Sequence, residues 1–379
     1  MATQKHKEPE NPFIYKGYEG PEFFCGREKE TENIVKALQN GRNLTVLSPR
    51  KIGKTGLVKQ ALYRINEQNK DAICIYLDIF STQNLYEFVQ ALGVAIVEEA
   101  VEREKSFWAK AVDAFKAWRP VLSYDSLTGM PTVSVNIEPT REEHTLRSIF
   151  EHIESLKKDV YIAIDEFQQI ANYPEKGTEA LLRSHIQFSK AGFIFSGSKM
   201  HLMAEMFNSP KRPFYQSTEF INLQPLPEQE YYGFARRFFE KRKGSLSEEV
   251  FHEVYARFDG HTWYIQFILN RLYEAYKKVE TTAQANEVIL SVVETLAPQY
   301  EMLMAFLTSN QINLLKAISK EIRVEKPQSV DFIKKYDLPS ASSVKTALDV
   351  LVDKELVYAD ANGYIVYDRF FNLWLRRLL

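Results

Sequence analysis

A lysine and a threonine directly follow a glycine at Gly53-Lys54-Thr55, after a short apolar run and before an amphipathic segment. Backbone N–H groups of such a loop, and of the helix that follows it, bind phosphate oxygens. The Lys54 ammonium can reach the β- and γ-phosphates of a nucleoside triphosphate, and the Thr55 hydroxyl can ligate Mg²⁺. The sequence therefore predicts a phosphate-binding loop with these members: Ser48, Pro49, Arg50, Lys51, Ile52, Gly53, Lys54, Thr55 and Gly56.

The loop departs from the pattern G-x-x-x-x-G-K-[ST] only at its first position, where Ser48 replaces glycine. The alternative interpretation is a solvated turn with a basic run at Arg50, Lys51 and Lys54. That interpretation does not explain why an apolar strand and an apolar helix flank the turn so closely.

Two acids, Asp165 and Glu166, end the apolar run that begins at Val160. Beside a phosphate-binding loop, Asp165 would hold the Mg²⁺ shell and Glu166 would polarise the attacking water as a general base. An acidic pair at a strand end is by itself weak evidence, because strands often end in solvated charges. The loop about 110 residues earlier favours the functional interpretation.

A small polar residue at the end of the apolar run 191–197 could sense the γ-phosphate or hold the attacking water. Ser196 and Ser198 are both candidates, and we prefer Ser198 slightly. The alternative is a plain turn in which Ser198 caps a helix over 199–207. The pattern of residues leaves the two interpretations nearly balanced.

Other candidate residues have weaker support from spacing. Gly26 and Arg27 precede the first helix, where a slot for adenine could form, although spacing shows only a helix start. His261 precedes a helix over 262–278 and could report the bound nucleotide, although a lone histidine is more often a packing or surface residue. Arg212, or Arg183, could reach the γ-phosphate of a neighbouring subunit, although each is more typical of a surface arginine.

Composition limits the function classes. The chain has 379 residues and a net charge of −2, so no global basic field would recruit nucleic acid or an acidic membrane. Its two cysteines lie in apolar contexts and predict buried thiols of a reducing compartment. We expect a cytoplasmic protein without a signal peptide or membrane span, and no metal other than Mg²⁺, since the seven histidines show no zinc spacing.

The elements that must position these residues follow an alternating pattern. Apolar runs at 43–48, 71–78, 159–165, 191–197 and 218–223 predict buried parallel strands between helices, which is an α/β fold of the P-loop NTPase kind. We expect an N-terminal arm over 1–22, lying on a core over 23–226. The segment 104–137 would be an insertion containing a helix over 104–118 and a hairpin over 120–137.

Helical periodicity continues from Pro227, with predicted helices at 228–242, 246–258, 262–278 and 283–297, so 227–308 would be a helical lid. Residues 309–379 predict three helices, at 309–319, around 328–336 and at 341–354. Two short strands follow at 356–360 and 363–367. Three helices and a hairpin are the outline of a winged helix.

With these motifs placed, the chain resembles the archaeal-type ATPase family, of the signal-transducing (STAND) branch of AAA+ P-loop ATPases. The resemblance is carried by Phe24–Glu30, Ser48–Thr55, Ile164–Glu166, Ser196–Ser198 and Gly260–Thr262. It implies that Gly26 and Arg27 border the adenine of bound ATP or ADP. Two departures affect function: Thr262 replaces the proline of a lid motif, and Gln216-Ser217 replaces a Gly-Arg pair, so Arg212 would have to supply the missing charge.

The charge of the predicted winged helix indicates whether it binds DNA or a protein. Residues 309–379 contain eleven Lys and Arg against nine Asp and Glu, a small excess for a duplex-binding module. The balance would shift towards DNA if Lys334, Lys335, Lys345, Arg369, Arg376 and Arg377 lay on one surface. Otherwise we expect a protein partner or self-association, and no membrane contact.

The sequence thus predicts an ATP-binding, Mg²⁺-dependent ATPase that acts as a nucleotide-driven switch in signalling or assembly, slow without a partner or oligomer. A nucleotide-gated DNA-binding protein and a non-hydrolysing scaffold that keeps ATP or ADP bound remain open alternatives.

Overall fold

The computed structural model describes residues 9–103, 120–124, 131–135, 141–360 and 362–377. The described residues form two compact units. Those within Ile14–Phe234 and His261–Trp263 make up the sheet unit, and those within Met1–Phe13, Ala235–Gly260 and Tyr264–Leu379 make up the helical unit.

A five-stranded sheet organises the sheet unit. Up to its last strand, the elements in chain order are a 3₁₀ turn (Pro21–Phe23), α1 (Glu28–Gln39), β1 (Leu44–Leu47), α2 (Lys54–Gln68), β2 (Ile73–Asp78), α3 (Leu85–Arg103), β3 (Pro120–Tyr124), β4 (Pro131–Val135), α4 (Glu142–Ser155), β5 (Val160–Asp165), a 3₁₀ helix (Phe167–Asn172), α5 (Thr178–Ile186), β6 (Gly192–Gly197), α6 (Met200–Asn208) and β7 (Glu219–Asn222). The strand order is β2-β5-β6-β1-β7, and all neighbours are parallel. The predicted α/β class and its five strands are confirmed.

Successive side chains of the central strands enter two apolar clusters. Phe193 and Phe195 pack in one cluster with residues of α3, α4 and α6, whereas Ile194 packs in the other with residues of α1 and α2. Both faces of β6 are therefore covered, which explains the continuous apolar run in its sequence. Because β5, β6 and β1 are parallel neighbours, their carboxyl ends lie side by side at one edge of the sheet.

The expected insertion is described in part. β3 and β4 pair antiparallel, from Pro120 opposite Val135 to Tyr124 opposite Pro131, as the predicted hairpin requires. The predicted helix over 104–118 and the turn at 126–129 lie outside the described residues.

After β7 the chain is mostly helical. The elements are α7 (Glu228–Lys241), β8 (Ser245–Leu246), α8 (Glu248–Arg257), α9 (Thr262–Ala275), β9 (Lys278–Val279), α10 (Thr282–Ala305), α11 (Ser309–Glu321), α12 (Val330–Lys335), α13 (Ala341–Asp353), β10 (Val357–Asp360), β11 (Gly363–Val366) and α14 (Arg369–Arg377). The sequence pattern missed the short parallel pair β8–β9. It also ended α10 too early, because this helix continues through Pro298.

The last elements form the predicted winged-helix outline. α11, α12 and α13 precede the antiparallel pair β10–β11, and Val324 adds a bridge to Tyr364 on the other side of β11. α11 begins with a capping box, in which Thr308 and Gln311 satisfy each other's backbone N–H groups.

The expectation for the N-terminal arm was wrong in part. Tyr18 lies in the sheet unit and donates a hydrogen bond to Gln60 of α2, as expected for an arm on the core. Phe13, however, belongs to the helical unit, where it is fully buried against the rings of Phe238, Phe239 and Tyr273. The free energy gained by burying this aromatic ring fixes the position of Phe13, although many of its neighbours in sequence are polar.

Within the described part of the chain, no helix is long and apolar enough to cross a membrane.

Candidate functional site

The loop between β1 and α2 has the backbone of a phosphate cradle. Lys51 and Gly53 adopt left-handed conformations, with φ of 70° and 96°, immediately before α2 starts at Lys54. Such residues turn successive N–H groups into a concave anion site. Ser48 is buried and is not among the residues with positive φ, and its hydroxyl donates to the Pro49 carbonyl at 3.0 Å. A serine therefore replaces glycine there without backbone strain.

Lys54 lies between two carboxylates. Its side chain is only 8% exposed, and its Nζ lies 3.3 Å from Asp165 Oδ1 and 3.4 Å from Glu166 Oε1. A buried ammonium requires such compensation, because an isolated charge is costly away from water. The predicted lysine and both predicted acids thus meet at one point.

Asp165, at the end of β5, accepts hydrogen bonds from three neighbouring elements. Thr55 Oγ1 and Tyr76 hydroxyl donate to Oδ2 at 2.7 and 2.8 Å, and Ser196 Oγ donates to Oδ1 at 2.6 Å. Burial raises the pKa of Asp165, but the Lys54 ammonium and the three hydroxyl donors outweigh it and hold the pKa below its usual value. Asp165 therefore offers an ionised carboxylate oxygen beside the Thr55 hydroxyl.

Glu166 is positioned separately. It adopts a left-handed conformation with φ of 57°, and its Oε2 accepts from Ser198 Oγ at 2.8 Å and from Gln168 Nε2 at 2.5 Å. Arg50 Nε in turn donates to Ser198 Oγ at 3.2 Å. The two candidate serines thus differ in partner, since Ser196 contacts Asp165 and Ser198 contacts Glu166. The capping alternative for Ser198 is wrong, because the residue preceding α6 is Lys199 and it receives no side-chain cap.

Arg27 is hydrogen-bonded to the backbone of the loop. Its guanidinium is buried and donates to the carbonyls of Gln224 at 2.6 Å and Ile52 at 3.5 Å, and it pairs with Glu30 at 2.9 Å. Gly26 beside it has φ of 61°, and a Cβ there would lie 2.6 Å from Glu230 Oε1. A larger residue at 26 would be strained by this positive φ and would force the side chains of Glu230 and Leu226 to move.

Replacing Arg27 with alanine is expected to destabilise the protein by about 3 kcal/mol, because two carbonyls and Glu30 lose a buried charged donor. The midpoint of urea unfolding measures the effect. The matched control is Lys29→Ala, on the exposed side of the same helix, which should change stability by less than about 0.5 kcal/mol. Equal midpoints for the two variants would contradict a supporting role for Arg27.

The segment His261–Trp263 contacts the same loop. Thr262 Oγ1 donates to the Ile52 carbonyl at 3.1 Å, and Trp263 N–H donates to the Lys51 carbonyl at 2.9 Å. Lys51 Nζ also lies 4.4 Å from the centroid of the Trp263 ring. The predicted His261 thus directly precedes a helix whose first two residues are hydrogen-bonded to the predicted phosphate-binding loop.

Arg212 lies elsewhere. Its Nη2 is 2.7 Å from Glu179 Oε1 on α5, and its Nε is 3.9 Å from Glu205 Oε1 on α6. These contacts place it beside α5 and α6 rather than beside Lys54. Its predicted action on a neighbouring subunit, like that of Arg183 on α5, stays a prediction.

Sequence reasoning missed three residues of this site: Tyr76, Gln168 and Trp263. A signal existed for Tyr76, a polar ring two residues before the end of a buried strand. Gln168, two residues after Glu166, and Trp263, which meets Lys51 only in the folded chain, carried no such signal.

Comparisons with known proteins identify two domains in the chain. A family described as "ATPase domain predominantly from Archaea" matches residues 24–268, and one described as "Probable winged helix domain" matches residues 298–377. No curated protein sequence matches the chain.

Solved structures show the same fold at low identity. A Walker-type ATPase of Pyrococcus abyssi has a TM-score of 0.66 at 17% identity, over 96% of this chain and 99% of that one. The Aeropyrum pernix ORC2 protein in its ADP form has 0.54 at 14%, over 97% of each chain. The Aeropyrum pernix ORC1 protein in complex with DNA has 0.52 at 13%, over 95% of this chain and 96% of that one. With 245 of its 379 residues inside the first match, the chain belongs to the family of ATPase domains found predominantly in Archaea, and a winged helix follows near its C-terminus.

Proposed function

We propose that this chain binds and hydrolyses ATP with Mg²⁺ and acts as a nucleotide-driven switch for a protein partner or a second copy of itself. The observation that carries the proposal is the convergence of Lys54 and Thr55, at the start of α2, with Asp165 and Glu166 at the end of β5. This set combines phosphate binding, metal binding and water activation at one point.

Each residue has one task in the proposal. Backbone N–H groups of residues 50–56 cradle the phosphates, and Lys54 holds the β- and γ-phosphates. Glu166 takes a proton from the attacking water, while Ser198 and Gln168 keep its carboxylate oriented. His261 would sense the phosphates, and Gly26 with Arg27 would border the adenine.

The donor set fits Mg²⁺. Thr55 Oγ1 and Asp165 Oδ2 lie 2.7 Å apart, and both are oxygen donors of the kind that this ion prefers. When bound, Mg²⁺ would neutralise charge that develops on the phosphates. Thr55 and Asp165 would hold the ion, and the hydrogen bond from Ser196 keeps the Asp165 carboxylate oriented.

The switch component is supported by the contact between loop and helix. The carbonyls of Lys51 and Ile52 accept hydrogen bonds from the first two residues of α9. A change of loop conformation on phosphate binding or release would therefore strain or relax the start of that helix.

A protein partner is favoured over DNA by the charges of the helical unit. Of the six basic residues that could form a nucleic-acid surface, Lys335 pairs with Glu321 and Arg377 with Glu294, and Arg369 is 5% exposed and paired with Asp259. Three of the six are thus neutralised within the unit, which weakens the phosphate attraction that duplex binding needs.

The test is the steady-state ATP hydrolysis rate of the purified protein, with and without duplex DNA. Mg²⁺-dependent turnover that DNA leaves unchanged supports the proposal. Turnover or salt-dependent duplex binding that weakens on Lys334→Glu and Lys345→Glu would overturn the protein-partner part in favour of a DNA-coupled role. Tight ATP binding without turnover would leave a nucleotide-bound scaffold, and no ATP binding would overturn the proposal entirely.

A further inference from the structure

The carboxylate of Asp165 uses all of its acceptor positions within the protein. Oδ1 accepts from Ser196 Oγ at 2.6 Å and from the Glu166 N–H at 3.0 Å. Oδ2 accepts from Thr55 Oγ1 at 2.7 Å and from the Tyr76 hydroxyl at 2.8 Å. Lys54 Nζ also lies 3.3 Å from Oδ1. A carboxylate oxygen offers about two lone pairs, so Oδ2 can take a further partner only if one of its two hydroxyl donors leaves.

Three of the four donors are fixed. Ser196 is 1% exposed within the central strand β6, and the Glu166 N–H belongs to the next residue of the same backbone. Thr55 is itself the proposed second metal ligand. Tyr76 is the donor that remains, and it enters from β2, the edge strand beside β5.

The Tyr76 ring lies on the α2 side of the sheet, where it packs against the apolar cluster that contains Cys74 and residues of α2. Lys59 Nζ lies 4.7 Å from the centroid of this ring. The ring therefore keeps a cation–π contact when its hydroxyl no longer donates to Asp165.

We infer that Tyr76 is a positioning residue that holds Asp165 Oδ2 and must release it when Mg²⁺ joins Thr55 and Asp165, so that Tyr76 weakens metal binding at this site. The inference rests on the proposed function. Mg²⁺ keeps several of its waters in proteins, and these waters donate hydrogen bonds to nearby carboxylates. Whether Oδ2 would meet the ion itself or one of its waters, it would need the lone pair that the Tyr76 hydroxyl occupies.

The test compares ATP affinity in EDTA with affinity across a Mg²⁺ titration, using a fluorescent ATP analogue and no measurement of turnover. Tyr76→Phe keeps the ring and removes the donor. We expect unchanged affinity in EDTA, and half-maximal enhancement at about tenfold lower Mg²⁺ than in the unaltered protein. The matched control is Tyr161→Phe, on the adjacent strand opposite Cys74 and away from Asp165, which should leave the Mg²⁺ midpoint unchanged.

The outcomes distinguish the proposed Mg²⁺ role of the site from the inferred role of Tyr76. An unaltered protein whose ATP affinity ignores Mg²⁺ would overturn the proposed metal role and this inference with it. A Mg²⁺-sensitive unaltered protein whose Tyr76→Phe variant needs as much Mg²⁺, or more, would overturn the inference alone and leave the proposed function standing.

Discussion

Replacing Lys54 with alanine is expected to weaken ATP binding at least about 100-fold. The Lys54 ammonium lies at the start of α2, 3.3 Å from Asp165 Oδ1 and 3.4 Å from Glu166 Oε1, where the proposed loop would bring phosphate oxygens to it. Charge-assisted hydrogen bonds to phosphate contribute about 1.5–3 kcal/mol each, and Lys54 would make more than one. Without the ammonium, the negative charges of Asp165 and Glu166 would also repel the triphosphate.

Calorimetric titration with ATP measures this loss. The control is Lys70→Ala, just beyond the end of α2, whose side chain is 74% exposed and should not affect affinity. A second consequence is a higher pKa for Asp165, because the Lys54 ammonium is the largest influence that lowers it. Equal ATP affinity in the Lys54→Ala variant and the unaltered protein would exclude the loop as the phosphate site.

Replacing Glu166 with glutamine is expected to slow hydrolysis by about 10²–10⁴-fold while ATP still binds. The amide has the size of the carboxylate and can still accept from Ser198 and Gln168, which now donate to Oε2 at 2.8 and 2.5 Å. It cannot take a proton from the attacking water. The variant should therefore hold ATP where the unaltered protein accumulates ADP.

Single-turnover assays that follow phosphate release and the identity of the bound nucleotide measure this effect. Glu151→Gln, on the exposed face of α4, removes one carboxylate without touching the site and should leave turnover unchanged. If Glu166→Gln turned over as fast as the unaltered protein, another group would have to serve as the base.

Much of the sheet unit could be predicted because its signals are local. The loop ending at Thr55 and the acids after Val160 are each contiguous in sequence, and buried parallel strands read as plain apolar runs. Parallel pairing then brings the ends of β5 and β6 together. The meeting of Asp165 with Ser196, 31 residues later, follows from that pairing.

Other contacts depend on register and on packing that no local pattern encodes. Tyr76 reaches Asp165 because β2 pairs with β5 so that Asp78 lies opposite Asp165. A shift of one residue would turn the phenol to the other face of the sheet. Trp263 meets Lys51 across more than 200 positions of chain, and Phe13 finds its aromatic partners across a similar distance. Only the folded chain brings such residues together.

The contact of Lys54 with Asp165 and Glu166 would make anion binding at the proposed phosphate loop an exchange of partners. An incoming anion would have to compete with two carboxylates that already pair with the ammonium. A small monovalent anion such as chloride offers little charge and few acceptors for that exchange. A triphosphate brings several charges and many oxygens at once. If the loop binds phosphate as proposed, the two carboxylates would therefore make it selective for polyphosphates over simple anions.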